Sequence, residues 1–295
     1  MLTNHHAHTH YSDGVGSPTE YVEQAIAQGF RSYGFSDHAP IPLDSVGSMS
    51  VTDLSDYIAE IEALQTGYGD RIRLYKSLEV DYIPEVMNVD SPHVRAAGLD
   101  YTVGAVHYVD YLPDGQPWSF QRANPIFDRG IDTIFGGDVR AMVERYFSLV
   151  REMVEGHPPS VVAHLDRIKK RNTDGIYWNE HAAWYRGAVE DTLDAIAAAG
   201  CVLEINTRGL YLNEITDTYP TDWIVRRAHA RGIRLQVNSD AHRSEHISGA
   251  FIPTYRGLQS MGIQDVWVFR ETAFEAVAIE RVLQDLRRSI GSVAG

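Results

Sequence analysis

The chain of 295 residues has a net charge of −14, and 44% of its residues are hydrophobic, an ordinary share for a globular protein with a full core. The acidity argues against a sequence-independent nucleic-acid binder, which would need clustered Lys and Arg, but bound divalent cations would still offer an anionic substrate a positive site. The single cysteine excludes an internal disulfide. A cytoplasmic protein is expected, because the N-terminus has no signal-like segment and no apolar run is long enough to cross a bilayer.

Strand-like and helix-like segments alternate along most of the chain. A first helix is predicted over 17–29, where Ser17 is the N-cap, Pro18 occupies the first turn, Glu20 completes a capping box and Gly29 ends the helix. Further helices are predicted over 51–69, 139–156, 179–199 and 222–232, and from residue 271 to the C-terminus. Short apolar runs predicted to be strands lie at 2–8, 31–38, 72–80, 98–107, 160–164, 201–206, 233–239 and 266–269.

Seven or eight β/α units in a chain of this length predict one α/β domain, folded as a barrel or a distorted barrel. A doubly wound open sheet is the alternative, and it is less favoured because the polar residues described next follow nearly every strand. Residues 108–137 interrupt the alternation and are predicted to be a long loop near the mouth of the active site. Cys201 begins an apolar strand and is expected to be an inert core thiol.

Histidines and acidic residues follow the predicted strands. His6 and His8 occupy alternate positions of one strand, so both can face the same side and bind one ion, whereas His5 should face away. The carboxyl ends of strands meet at one face of an α/β barrel, so the whole set predicts a multinuclear metal site. The set is His6, His8, Asp13, His38, Glu79, His107, His164, Asp240 and His242.

Several of these residues lie in motifs. The segment HAHTHYSDG, which begins at His6, resembles the first motif of the polymerase and histidinol phosphatase (PHP) superfamily, and Ser36-Asp37-His38 resembles the second. The remaining residues follow in the family's order, so that the match spans residues 4–246. Asn4 departs from the pattern, since the family often has Asp there, and a slight retuning of the site is expected.

The resemblance implies a single PHP domain over 1–295, a distorted, TIM-like barrel of seven β/α units, and three divalent metal ions, which would be zinc, manganese or iron. The implied assignment is His6, His8, Glu79 and Asp240 for one ion; Glu79, as a bridge, with His107 and His164 for a second; and Asp13, His38 and His242 for the third.

Such a site predicts a metal-dependent phosphomonoesterase. Clustered divalent ions hold anionic oxygen and supply hydroxide at neutral pH, so a metal-bridging hydroxide would attack phosphorus. Glu79, Asp240 and His242 would act in catalysis by positioning the metals and the hydroxide. The guanidinium fork matches phosphate oxygens. Candidate phosphate-binding arginines are Arg171 and Arg208, which we prefer, and Arg167 and Arg243.

Within the superfamily, residues 103–110, 127–154, 203–211 and 239–249 resemble the monofunctional histidinol-phosphate phosphatases, which implies hydrolysis of L-histidinol phosphate in histidine biosynthesis. The expected partner is a small phosphate ester, neither nucleic acid nor membrane, and the oligomeric state is left open. One alternative is a PHP phosphoesterase acting on another small phosphate ester or a nucleotide. The others are an amidohydrolase with a carboxylated lysine, for which Lys76 would have to face the site, and a non-catalytic PHP scaffold, whose ligands would be degraded.

Overall fold

The computed structural model of the protein describes residues 2–43, 47–123 and 125–293. Its strands are β1 Thr3–Asn4, β2 Ser32–Phe35, β3 Arg73–Lys76, β4 Glu79–Asp81, β5 Val103–Ala105, β6 Tyr108–Tyr111, β7 Pro117–Ser119, β8 Val161–Val162, β9 Val202–Asn206, β10 Leu235–Asn238, β11 Asp265–Arg270 and β12 Ala273–Ala278. Its α-helices are α1 Pro18–Ala27, α2 Val51–Tyr68, α3 Pro92–Ala96, α4 Ile126–Phe135, α5 Val139–Gly156, α6 Ala183–Ala199, α7 Arg208–Tyr211, α8 Asp222–Ala230, α9 Phe251–Ser260 and α10 Ile279–Val293. Short 3₁₀ helices cover Arg167–Arg171, Thr173–Gly175 and Ser244–His246.

Two parallel sheets together form a ring. One has the order β1-β2-β3 and the other the order β10-β9-β8-β5-β4. β3 and β4 are successive halves of one interrupted strand, since β3 pairs with β2 and β4 pairs with β5. Parallel bridges join the two sheets, from His38 to Glu79 on one side and from Ala7 to Ala241 on the other. The predicted distorted barrel is therefore confirmed, with β1, β2, β3/β4, β5, β8, β9 and β10 around one interior.

The amino ends of the strands are closed by an apolar cluster. Val103, Val161 and Val202 begin β5, β8 and β9 and are buried in this cluster. The antiparallel hairpin β11–β12 covers it, with the ring of Phe269 centred 5.0 Å from the ring of Tyr75. Because this end of the interior is apolar, the opposite, carboxyl end is left for polar side chains.

Several predicted features are confirmed. Ser17 and Glu20 form the predicted capping box at the start of α1, and the helix predicted over 139–156 is present as α5, where Asp138 accepts a hydrogen bond from the Ala141 N–H at 3.0 Å. Cys201 is buried, and burial raises the pKa of its thiol to about 11, as expected for an unreactive core cysteine. Among the described residues, no helix combines the length and apolarity needed to span a bilayer.

Two predicted elements differ from the structure. The C-terminal helix does not begin at Glu271; that residue has a φ of 56° in the turn between β11 and β12, and α10 begins only at Ile279. The stretch 108–137 is not a loop throughout, because it contains the β6–β7 hairpin and α4. Trp118 of β7 packs on Phe127 of α4 with ring centroids 5.7 Å apart, which gives this insertion a small apolar core.

Candidate metal centre

The nine side chains predicted to bind metal converge at the carboxyl end of the barrel. Most of them form three groups in which the possible ligand atoms all lie within 4.8 Å of one another. His8 and His38 each belong to two groups, so the groups are contiguous, and His164 joins through Glu79. The groups are His6, His8 and Asp240; His8, Asp13, His38 and His242; and His38, Glu79 and His107.

Glu79 lies at the centre of the set. Its Oε1 is 2.9 Å from Nε2 of His164 and 3.7 Å from Nε2 of His107. Its Oε2 is 3.1 Å from Nδ1 of His38 and 3.5 Å from Nε2 of His6. Because each oxygen faces a different set of imidazoles, this carboxylate has the geometry of a bridge between two ions.

The group that contains Asp13 lies at the mouth. Asp13 Oδ1 is 3.0 Å from Nε2 of His242 and 3.7 Å from Nε2 of His38. The Asp13 side chain is 39% exposed, whereas that of His8 is fully buried. An ion held by this group would therefore face incoming solutes more openly than one held by His6 and His8.

The electrostatics favour ionised carboxylates. Burial alone would raise the pKa of Glu79, but the surrounding imidazoles, above all His38 and His6, lower that pKa well below its usual value. Burial would likewise raise the pKa of Asp240, but His6 and Arg208 lower it well below its usual value. An ionised carboxylate is the form that binds a cation.

The histidines respond to the same field in opposite directions. Burial, together with the nearby His242 and His38, lowers the pKa of His8 to about 3, so this imidazole is neutral and able to donate a lone pair. Burial would lower the pKa of His6 too, but Glu204 and Asp240 raise it well above its usual value. His6 thus takes up a proton among several carboxylates, and a divalent cation would compete for the same position.

Two candidate ligands have a left-handed backbone. His164 has a φ of 23° two residues past the end of β8, and Asp240 has a φ of 50° two residues past the end of β10. Such a conformation costs roughly 1–3 kcal/mol for a residue other than Gly and tends to occur at functional sites. The surrounding structure fixes it, because the His164 N–H donates to Glu204 Oε2 at 3.0 Å and the His8 N–H donates to the Ala241 carbonyl at 2.8 Å.

Two buried carboxylates that the sequence reasoning missed orient candidate ligands from behind. Glu204 Oε1 accepts from Nδ1 of His6 at 2.7 Å, and Asp81 Oδ1 lies 2.9 Å from Nδ1 of His107. In both rings the other nitrogen, Nε2, then faces the cluster. The sequence does contain a signal, since both acids lie within apolar strand runs and Asp81 is two residues from Glu79, on the same face of its strand.

The donor set fits divalent cations. Nε2 of His6 lies 3.1 Å from Nε2 of His8, and Nε2 of His107 lies 3.3 Å from Nε2 of His164. The buried Oδ1 of Asp240, which faces the first pair, accepts no hydrogen bond from the described residues. Imidazole nitrogens that converge in pairs beside carboxylate oxygens are the arrangement that a divalent cation satisfies once it displaces the protons they share. Lys76 takes no part, because its Nζ lies 2.5 Å from Glu62 of α2, outside the barrel.

The four predicted arginines lie in different surroundings. Nη1 of Arg208 donates to the Asp240 carbonyl at 2.8 Å and contacts His242. Arg167 is buried with its guanidinium 4.9 Å from the centre of the Tyr219 ring, and its Nε and Nη1 find no acceptor in the described part of the chain. Of the two others, Arg171 donates to the Gln121 carbonyl, and Arg243 is exposed.

A polar cavity of about 190 Å³ adjoins the metal groups. The β6–β7 hairpin and the residues after it form one wall, which includes Arg122, an arginine that the sequence reasoning did not single out. The lining residues are Asp13, His38, Ser48, Asp81, His107, Tyr108, Ser119, Gln121 and Arg122.

Strand alternation predicts that His5 faces away from the barrel interior, but the structure places it inside. Its ring is centred 5.6 Å from the ring of Tyr75 and 5.7 Å from that of Tyr101, and its Nδ1 lies 2.9 Å from Nε2 of Gln236. It is therefore inside the barrel, on the amino-end side of the metal groups, and belongs to none of them.

Comparison with known proteins identifies relatives along most of the chain. A sequence model of the PHP domain matches residues 4–208. A protein named "Probable histidinol-phosphatase" from Deinococcus radiodurans is 28% identical over 267 residues, covering 88% of this chain and 94% of the relative. The histidinol-phosphatase of Bacillus subtilis is 28% identical over 262 residues, covering 83% and 95%.

A solved structure has the same fold. It is the histidinol phosphate phosphatase of Lactococcus lactis in complex with zinc, L-histidinol and phosphate, which aligns with a TM-score of 0.68 at 20% sequence identity. The alignment covers 92% of this chain and 98% of the other. The likeness extends over the whole barrel.

Proposed function

Because this chain belongs to the PHP family, we propose that it is a metal-dependent phosphomonoesterase that hydrolyses L-histidinol phosphate to L-histidinol and phosphate. The observation that carries the proposal is the convergence of imidazole and carboxylate groups from six strands of the ring into contiguous groups with metal-binding spacing. Relatives named for this activity, which align with most of the chain, support the choice of substrate.

The centre would hold three divalent ions, of zinc, manganese or iron, since mixed imidazole and carboxylate ligands suit all three metals. Bound ions would supply a hydroxide nucleophile and positive charge opposite the phosphoryl oxygens. Glu79 would bridge two of the ions, and Asp240 and His242 would each hold one. The full proposed ligand set is His6, His8, Asp13, His38, Glu79, His107, His164, Asp240 and His242.

Arginine side chains would hold the phosphate group of the substrate. Arg208 is favoured because it lies against Asp240 and His242, so a phosphate at the metals would come within its reach. Arg167 is favoured because its buried Nε and Nη1 make no hydrogen bond within residues 2–43, 47–123 and 125–293. Arg171 and Arg243 have weaker support, since within the described residues neither side chain hydrogen-bonds to a proposed ligand.

The organic half of the substrate would occupy the cavity beside His107. Its wall carries hydroxyl and amide groups from Tyr108, Ser119 and Gln121, which can bind a small polar molecule. The insertion at 108–137 would thus determine which phosphate ester is accepted.

The test combines metal analysis with phosphate release. We expect wild type reconstituted with zinc, manganese or iron to release phosphate from L-histidinol phosphate faster than from a panel of other phosphate esters and nucleotides. Asp240→Ala and His6→Ala should remain folded by circular dichroism but lose bound metal and lower kcat by about 10³-fold or more, equivalent to about 4 kcal/mol. A preference for another ester would change the proposed substrate to that ester. Full activity in either variant would refute the proposed metal centre.

A further inference from the structure

Glu204 accepts four hydrogen bonds inside the barrel. Its Oε1 accepts from Nδ1 of His6 at 2.7 Å and from Nδ2 of Asn238 at 3.0 Å. Its Oε2 accepts from the backbone N–H of His164 and from Nδ2 of Asn206, both at 3.0 Å. The carboxylate is fully buried, and these four donors come from β9 itself and from segments at β1, β8 and β10.

We propose that Glu204 is a positioning residue for the metal centre, which sets the proton of His6 and fixes the backbone of His164. This inference rests on the proposed metal site. A single buried carboxylate would then orient ligands of two different ions. It also reaches a third ligand indirectly, because Asn206 Nδ2 donates to Asp240 Oδ2 at 3.1 Å as well.

The proton position on His6 follows from the chemistry of the pair. An ionised carboxylate only accepts hydrogen bonds, so Nδ1 of His6 must be the donor. In the neutral ring the lone pair is then on Nε2, which lies 3.5 Å from Oε2 of Glu79 and 3.7 Å from Oδ1 of Asp240. Glu204 therefore directs the metal-binding nitrogen of His6 toward the other ligands.

The substitution Glu204→Gln makes this dependence testable. All four groups around the carboxylate are donors, so the new amide NH₂ must face donors on whichever side it lies. On the Oε2 side it would face the backbone N–H of His164, which cannot become an acceptor. On the Oε1 side His6 can adapt, but only by moving its proton to Nε2, the nitrogen required for the metal.

The experiment uses full-length protein loaded with zinc, which is diamagnetic. In ¹⁵N-histidine NMR spectra of wild type, we expect His6 to bind zinc through Nε2 and to carry its proton on Nδ1. Glu204→Gln should lower the affinity for at least one zinc ion by about 10–100-fold. The Glu204→Gln spectrum should show the His6 ring released from zinc.

Asp166→Asn is the matched control. Asp166 is also fully buried, and it accepts hydrogen bonds from Lys169 and from the Thr221 N–H, outside the metal groups. This control should change unfolding but leave zinc affinity as in wild type. Equal zinc loss in both variants would overturn the inference, because it would reflect general damage to the barrel.

Other outcomes are also decisive. Zinc bound to His6 through Nδ1 in wild type would overturn the inference even if Glu204→Gln fails to fold. Unchanged zinc affinity in Glu204→Gln would overturn it too. By contrast, wild type that binds no zinc, manganese or iron would contradict the proposed function itself.

Discussion

Oδ1 of Asp37 accepts a hydrogen bond from the backbone N–H of Thr9 at 2.7 Å. The same oxygen accepts from Oγ of Ser12 at 2.7 Å, and Asp37 is fully buried. These bonds hold the turn that carries Asp13 to within 3.0 Å of His242. The motif residue Asp37 therefore shapes the mouth of the site without being one of the proposed ligands.

Removal of this acceptor should loosen the mouth of the site. Asp37→Ala leaves buried donors unpaired, so we expect a loss of about 2–4 kcal/mol in the free energy of unfolding and weaker binding of one metal ion. Asp37→Asn keeps an acceptor oxygen and should lose less. Urea unfolding of metal-free protein and zinc titration measure both effects, and equal results for the two variants would argue against this role of Asp37.

The positions of the proposed ligands could be predicted because each follows an apolar run, and parallel strands place their carboxyl ends together. The side chains that hydrogen-bond to those ligands could not be predicted. Glu204 meets His6 because only β10 separates β9 from β1 in the ring, an order that the sequence does not display. Alternation failed at His5 because β1 ends at Asn4, after which His5 and His6 both enter the interior.

The fold was predictable where local signals were strong, as at the capping box of α1. The fold was less predictable where pairing with a distant segment determines the secondary structure. Residues 273–278 form a strand because each residue pairs with one of β11, from Ala273 with Arg270 to Ala278 with Asp265. Likewise, Gly130 of α4 lies so close to the indole of Trp118 that a Cβ on Gly130 would clash with it. The sequence of 108–137, which is rich in turn-forming residues, gives no sign of this packing.

Arg208→Ala should weaken phosphate binding while the metal is retained. A charge-assisted hydrogen bond contributes about 1.5–3 kcal/mol, so the inhibition constant of inorganic phosphate should rise about 10–100-fold. Arg208→Lys keeps the charge but not the fork and should be intermediate. Arg270→Ala, at an exposed position of β11 on the opposite end of the barrel, serves as the control and should match wild type. The assignment fails if Arg208→Ala leaves phosphate inhibition unchanged, or if Arg270→Ala weakens it equally.

His5 should make metal-free protein sensitive to acid. Burial lowers the pKa of His5 from 6.5 to about 3, so between these values the unfolded chain takes up a proton that the folded chain does not. Stability therefore falls as the pH drops below 6.5, by at most about 1.4 kcal/mol per pH unit from this group. His5→Asn should reduce that slope in urea unfolding measurements, and the same change at the exposed His229 should not. Equal slopes for wild type and His5→Asn would contradict the prediction.

Gly34→Ala should destabilise the barrel beneath the metal groups. Oη of Tyr101 donates to the His5 carbonyl at 2.6 Å, and a Cβ on Gly34 would lie 2.1 Å from that Oη. Tyr101 must then move and its hydrogen bond must break, so we expect a loss of about 2–3 kcal/mol in the free energy of unfolding.

Gly187→Ala is the control. No atom of the described residues lies within 4 Å of the new Cβ, and Ala stabilises the interior of α6 by about 0.5–1 kcal/mol relative to Gly. Since Tyr101 supports the segment that leads to His6, zinc affinity should fall in Gly34→Ala and stay unchanged in Gly187→Ala. Equal stability of the two variants would show that the interior has room for Tyr101 to move.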